Sequence, residues 1–120
     1  MQEKQYTENH EWIAKNEDHY FVGISAHAID ELGELVFIDI QPVGNAVQKD
    51  EEFASVESVK TVSGVYAPAS GEITEVNSDL IDHPEQLNNE DQWLVQLRLD
   101  SEAELEDLMS EEEYKKFISG

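Results

Sequence analysis

Two runs of β-favouring residues, 52–57 and 62–67, stand about four residues apart with a lysine between them, and no other feature constrains the chain as strongly. Phe53-Ala54-Ser55-Val56 approaches the gap from one side, and Val62, Val65 and Tyr66 leave it on the other. The pattern predicts a β-hairpin with Lys60 at its exposed tip. An ammonium placed there, with nothing nearby in sequence to bury it, is no base or nucleophile on its own near neutrality. It is a handle: an enzyme that recognises the hairpin can acylate it and leave a long uncharged group swinging from a rigid sheet. The alternative is a solvated turn lysine, the ordinary fate of a lone one.

The surrounding charge sharpens that contrast. Lys and Arg total 7 against 28 Asp and Glu, for a formal net charge of −21 at pH 7. Such a surface repels nucleic acid, keeps the molecule in solution, and steers association toward basic patches on partner proteins in a salt-dependent way. With no cysteine in 120 residues, disulfides, thiolate metal sites and a cysteine nucleophile are excluded, so any thiol chemistry must be imported. The length suits one domain spanning residues 1–120. No positively charged leader with an apolar core is visible, and no apolar run nears the roughly 18 residues that cross a bilayer. A soluble monomer with no membrane partner is expected.

Beyond the hairpin, Tyr20-Phe21-Val22-Gly23-Ile24 predicts a strand, and Ser25 an N-cap for a short helix carrying Ala28, Ile29 and Leu32 inward until Gly33 stops it. Leu35–Ile40 is almost continuously apolar, as in a strand covered on both faces, and Pro42, Gly44 and Asn45 mark the turn after it. Residues 77–92 predict loop with a short helical turn. Trp93, Val95, Leu97 and Leu99 alternate with Leu94, Gln96 and Arg98 as a half-buried strand. Gly33-Glu34-Leu35 and Gly71-Glu72-Ile73 each open a strand on either side of the lysine hairpin. This echo predicts a mainly β fold, a flattened β-sandwich (barrel-sandwich hybrid) of two similar halves joined at Lys60. Near the C-terminus, Ser101 with Glu104 and Ser110 with Glu113 fit the Ser-x-x-Glu capping box, which predicts two short helices. Leu105, Leu108 and Met109 form one apolar face, and Tyr114, Phe117 and Ile118 the next. The acidic run 100–113 is either a docking surface or charge suited to helix starts.

Glu57-Ser58-Val59-Lys60, with Tyr66-Ala67-Pro68 and the run Ser70-Gly71-Glu72-Ile73-Thr74-Glu75-Val76-Asn77, resembles the lipoylation hairpin of the H protein of the glycine cleavage system. Tyr6-Thr7, His10-Glu11-Trp12, Val22-Gly23-Ile24, the run Leu32-Gly33-Glu34-Leu35-Val36-Phe37 and Glu112-Glu113-Tyr114 extend the likeness over nearly the whole chain. Biotinyl domains put methionines beside their lysine, where this chain has Val59 and Thr61. The resemblance implies a non-catalytic carrier with lipoate in amide linkage to Lys60. Glu57, Ser58 and Val59 would present that lysine to a lipoyl-attaching enzyme. The arm would take an aminomethyl group left by glycine decarboxylase, pass it to a folate-dependent aminomethyltransferase, and be reoxidised by dihydrolipoyl dehydrogenase. The implied compartment is the cytoplasm, or the mitochondrial matrix for a mature eukaryotic form. An H-like protein that carries or relays lipoyl groups outside glycine cleavage is the second reading.

By the same resemblance Glu11 lies near the loaded arm; read from the residues alone, it is equally a solvated strand carboxylate beside a packed Trp12. The four histidines, at 10, 19, 27 and 83, have no metal-ligand spacing, and no serine has a nucleophile elbow around it. Two departures from the family matter. Gly64 stands where H proteins commonly carry Asp four residues after the lysine, and residues 88–93 lack the usual Pro-Tyr-Gly loop. Both predict a weaker shelter for the loaded arm.

Overall fold

The computed structural model describes residues 3–88 and 92–119. Among the described residues, nine strands form two antiparallel sheets. In chain order they are β1 (Gln5–Tyr6), β2 (Glu11–Asn16), β3 (His19–Ile24), β4 (Leu35–Ile40), β5 (Ala46–Val47), β6 (Glu52–Ser58), β7 (Val62–Tyr66), β8 (Gly71–Val76) and β9 (Val95–Leu99). One sheet has the order β1-β2-β3-β9-β8-β5 and the other β4-β6-β7. Without β1, β2 and β3, the larger sheet reduces to three strands, β9, β8 and β5, which face the three of its partner in a sandwich; the hairpin that carries Lys60 lies within the smaller sheet. Alternate residues from both sheets meet between them: Val22, Ile73 and Leu97 face Ile38, Phe53 and Val56, all essentially buried. Burial of that apolar surface is the main force holding the layers together.

Three helices cover the edges: α1 (Ala26–Leu32), α2 (Ser78–Asp82) and α3 (Glu111–Ser119). Ser25 caps α1 by accepting the Ala28 amide at 3.2 Å, and Ile29 and Leu32 point into the core. The second capping box forms in full, with Ser110 N–H donating to Glu113 at 2.9 Å and Glu113 N–H donating to the Ser110 hydroxyl at 3.2 Å. The first does not. Ser101 accepts from Ala103, and Glu104 turns away to receive the Ser70 amide at 2.8 Å and the Ser70 hydroxyl at 3.1 Å. Residues Glu102–Asp107 therefore wind as a 3₁₀ segment that ties the C-terminal region to the sheet corner. Met109 leaves the expected face with Leu105 and exchanges backbone hydrogen bonds with Tyr6, joining a second apolar cluster around Tyr6, Trp12 and Tyr114.

Two further expectations change. β4 is covered on one face only: Leu35 and Ile38 are buried, but Val36 and Phe37 are 47% and 51% exposed, with a bulge in the pairing to β6 between Leu35 and Phe37. Residues 77–92 contain more structure than a loop, namely α2 and a 3₁₀ turn at Pro84–Asn88, which drive Leu80 and Leu87 into the core at zero exposure. Residues 89–91, within the segment 88–93 that was expected to lack the usual family loop, lie outside the described residues. Leu80→Ala is expected to lower the free energy of unfolding by about 2–5 kcal/mol, the range for emptying a filled core site. Urea denaturation followed by circular dichroism measures it.

Candidate functional site

The β6–β7 hairpin pairs Glu57 with Val62 and Ser55 with Gly64, leaving Val59, Lys60 and Thr61 as the turn. Ser58 closes it. Its amide donates to the Thr61 carbonyl at 2.8 Å, and its buried hydroxyl accepts the amides of Lys60 at 3.2 Å and Thr61 at 3.1 Å. The tip is also moored from outside, because the Val59 amide donates to the Glu34 carbonyl at 3.0 Å. Lys60 is exposed, as expected, but its stem does not project freely. It crosses Gly33, where a β-carbon would sit 3.1 Å from Lys60 Cε. Gly33 has φ +84°, so the same residue stops α1, turns the chain toward β4 and leaves room for the lysine. Glu57 and Val59 face outward beside it, and exposed Val62, Val36 and Phe37 add an apolar collar to the surroundings of the tip.

Next to the hairpin lies a cleft of about 270 Å³. One wall is β7 from Thr61 to Val65, and the other comes from α1 and the start of β2. Its lining is mixed: Ile24, Leu32 and Val65 contribute apolar groups, His10, Thr61 and Ser63 polar ones, and Glu11 and Glu31 are its carboxylates. Glu11 is only 2% exposed, so it is no solvated strand carboxylate. Thr7 Oγ1 donates to one of its oxygens at 2.6 Å, and the Tyr66 amide donates to the other at 3.2 Å, so Glu11 links the two sheets at the cleft. Burial raises its pKa above the usual carboxylate range, and those two hydrogen bonds oppose the shift in part. Trp12 behind it is packed, its indole N–H donating to the Ile24 carbonyl at 3.2 Å.

Sequence reasoning assigned Tyr114 only to an apolar face, yet it holds the far wall in place. Its hydroxyl lies 2.7 Å from His10 Nδ1 and 2.7 Å from Ser25 Oγ, and its ring stacks on Tyr6 at 4.3 Å. Since Ser25 already accepts from Ala28, one consistent proton order runs from the Ser25 hydroxyl to Tyr114 and from Tyr114 to a neutral His10. Burial lowers the His10 pKa, and nearby His27 lowers it further, which favours that neutral form. The capping box around Ser110 and Glu113 at the start of α3 was the visible signal that an ordered helix carries Tyr114 here.

Gly64 leaves the β7 wall without a side chain, and the space is already taken: a β-carbon there would collide with the carboxylate of Glu52 from the adjacent strand. Among the described residues, no group of three or more His, Asp or Glu is placed to hold a metal ion. Among the described residues, no helix is long and apolar enough to cross a membrane.

These features define a class, a lysine-presenting β-sandwich in which one amine at a fixed hairpin tip stands beside a cleft of mixed lining with a buried carboxylate. A family model described as glycine cleavage H-protein matches residues 4–120. The glycine cleavage system H protein of Halalkalibacterium halodurans is 45% identical over 120 residues, covering 98% of this chain and 94% of its own. That of Thermotoga maritima is 43% identical, covering 99% and 98%. The crystal structure of a glycine cleavage system H protein from Mycobacterium marinum superposes with a TM-score of 0.89 at 33% identity, over 100% of this chain and 99% of the other. The chain belongs to the glycine cleavage H-protein family.

Gly33→Ala is expected to cost about 1–3 kcal/mol, because the backbone there has a conformation that side chains oppose. As the strain lies in the backbone, the loss should persist in a Lys60→Ala background, a comparison that urea denaturation of the four proteins provides. Glu11 gives a pH signature. Its folded pKa is raised, so its contribution to stability is fully present below the unfolded pKa and is lost as pH rises through the folded value. Glu11→Gln should remove that downward slope from the curve of unfolding free energy against pH.

Proposed function

We propose that residues 1–120 act as one carrier domain whose Lys60 Nζ forms an amide with lipoate, and that the arm carries the aminomethyl group of glycine cleavage. The observation that carries this reading is the position of Lys60, exposed on a turn fixed by Ser58 and moored to Glu34, next in sequence to Thr61, which lines the adjoining cleft. The residues fit the group. Ile24, Leu32 and Val65 suit an aliphatic arm, and a chain without cysteine needs the redox-active sulfurs that lipoate supplies when bound.

The chain itself contributes presentation and shelter. Ser58 sets the turn from within, so the lipoyl-attaching enzyme meets Glu57, Val59 and the lysine stem on the outer surface. Acylation removes the charge of Lys60, which lets the stem and arm settle against apolar walls without burying an ammonium. Glu11 and the Tyr114-held wall define the inner end of the cleft. The collar of Val36, Phe37, Val59 and Val62 offers contact area to glycine decarboxylase, the aminomethyltransferase and dihydrolipoyl dehydrogenase in turn, while the acidic surface steers each encounter. The chain performs no bond-making step of its own, and it works as a cytoplasmic monomer.

Lys60→Arg keeps the charge and the fold but removes the acylable amine. Intact and peptide mass spectrometry after incubation with lipoate and a competent ligase should show one lipoyl group on Lys60 in the parent protein and none in the variant. Lipoate on another lysine would overturn the site. Lipoylated protein that supports no glycine–bicarbonate exchange with a matched decarboxylase would instead favour lipoyl relay outside glycine cleavage.

A further inference from the structure

One side chain does most to hold α3 to the molecule. Of the nine residues of that helix only Tyr114 is buried, while Phe117 is 46% exposed. The Tyr114 hydroxyl makes both of its hydrogen bonds outside α3, to Ser25 at the cap of α1 and to His10 in the turn before β2. The protons in this chain of three groups have one consistent order. Ser25 Oγ already accepts the Ala28 amide, and among the described residues Tyr114 is its remaining side-chain partner. Ser25 therefore donates to Tyr114, and Tyr114 donates to His10 Nδ1, which must be bare.

A proton on Nδ1 reverses that order. Nδ1–H then donates to Tyr114, Tyr114 turns its own proton to Ser25, and the Ser25 hydroxyl is left without an acceptor at a site only 4% exposed. Either the geometry survives with a buried donor stranded, or Tyr114 lets go. Space for the second outcome exists: a hollow of about 330 Å³, lined by Tyr6, Trp12, Ser25, His27, Tyr114 and Ile118, lies between α3 and the start of α1.

We propose that His10, Tyr114 and Ser25 form a proton-operated latch: a neutral His10 fastens α3 to the start of α1, and a proton arriving at Nδ1 unfastens it and leaves the α1 wall of the cleft unbraced. The groups facing His10 are His27 and Glu31 from α1, Tyr114 from α3 and, next in the chain, Glu11, whose oxygens are taken by Thr7 and Tyr66. Lys4, Glu111 and Lys115 line the hollow that Tyr114 also lines. Burial holds the His10 pKa below the usual histidine range, His27 adds to that effect, and Glu31 opposes it. The latch is closed at neutral pH. Once opened, His10 meets water and binds its proton at a higher pH than in the closed state, so falling pH favours opening. The latch works whether or not Lys60 carries an arm.

The test uses the full chain with Lys60 unmodified. NMR follows the titration of the His10 ring, and amide hydrogen exchange, normalised to the intrinsic rate at each pH, follows α3. Protection of the α3 amides should fall about tenfold as His10 gains its proton. His10→Asn puts a neutral acceptor, Oδ1, in the place of Nδ1, and asparagine suits the left-handed backbone at that position, where φ is +70°. Its α3 protection should stay level over the same pH range. Tyr114→Phe keeps the ring but removes the hydroxyl that reverses, so the His10 titration should rise toward the usual histidine value. Parent protein whose α3 stays protected through the His10 titration overturns the latch. So does an equal loss of protection in His10→Asn, or a His10 titration unmoved by Tyr114→Phe.

Discussion

The turn that displays Lys60 depends on the Ser58 hydroxyl. It accepts two successive backbone amides that the hairpin cannot pair, and with the Val59–Glu34 hydrogen bond it converts a tip into a fixed platform. Turn amides facing inward need an acceptor, and a serine at the end of β6 provides one at the least volume. From that platform the direction of the lysine stem follows, across Gly33. The seat under the stem is Gly33, which belongs to another element, so α1 and the hairpin are positioned by the same few atoms.

The cleft is assembled from segments far apart in the chain. β7 supplies one wall as part of the three-stranded sheet, whereas the other wall comes from α1 and from the start of β2 in the larger sheet. Glu11 crosses between the sheets, and its carboxylate is retained in a desolvated place where an apolar side chain could not accept from both Thr7 and the Tyr66 amide. The added strands β1–β3 thus do more than widen a sheet: they bring a buried carboxylate into the cleft wall.

The hairpin, the Ser25 cap, the stop at Gly33 and the box at Ser110 were legible in the sequence because each rests on contacts among neighbouring residues. What escaped was decided by distant partners. Glu104 fits a local capping box, but Ser70 offers it two donors at once, and the helix yields to a 3₁₀ segment. Val36 and Phe37 have the composition of buried strand residues, and only the absence of a layer over β4 leaves them exposed. Leu80 and Leu87 sit in polar sequence whose periodicity is too short to reveal a helix, yet each fills the core. At the site, Lys60 and the possible importance of Glu11 were visible, whereas burial of Glu11, the role of Glu52 behind Gly64 and the His10–Tyr114–Ser25 chain appear only once the sheets are closed.

Tyr114 lies in the last helix, 54 positions after Lys60 in the numbering, and it holds both the α1 cap and His10. A chain made from its N-terminus therefore completes the lysine hairpin well before the residue that braces the opposite wall has been synthesised. The order of synthesis separates two features in time: the lysine tip is ready first, and the cleft beside it is finished last.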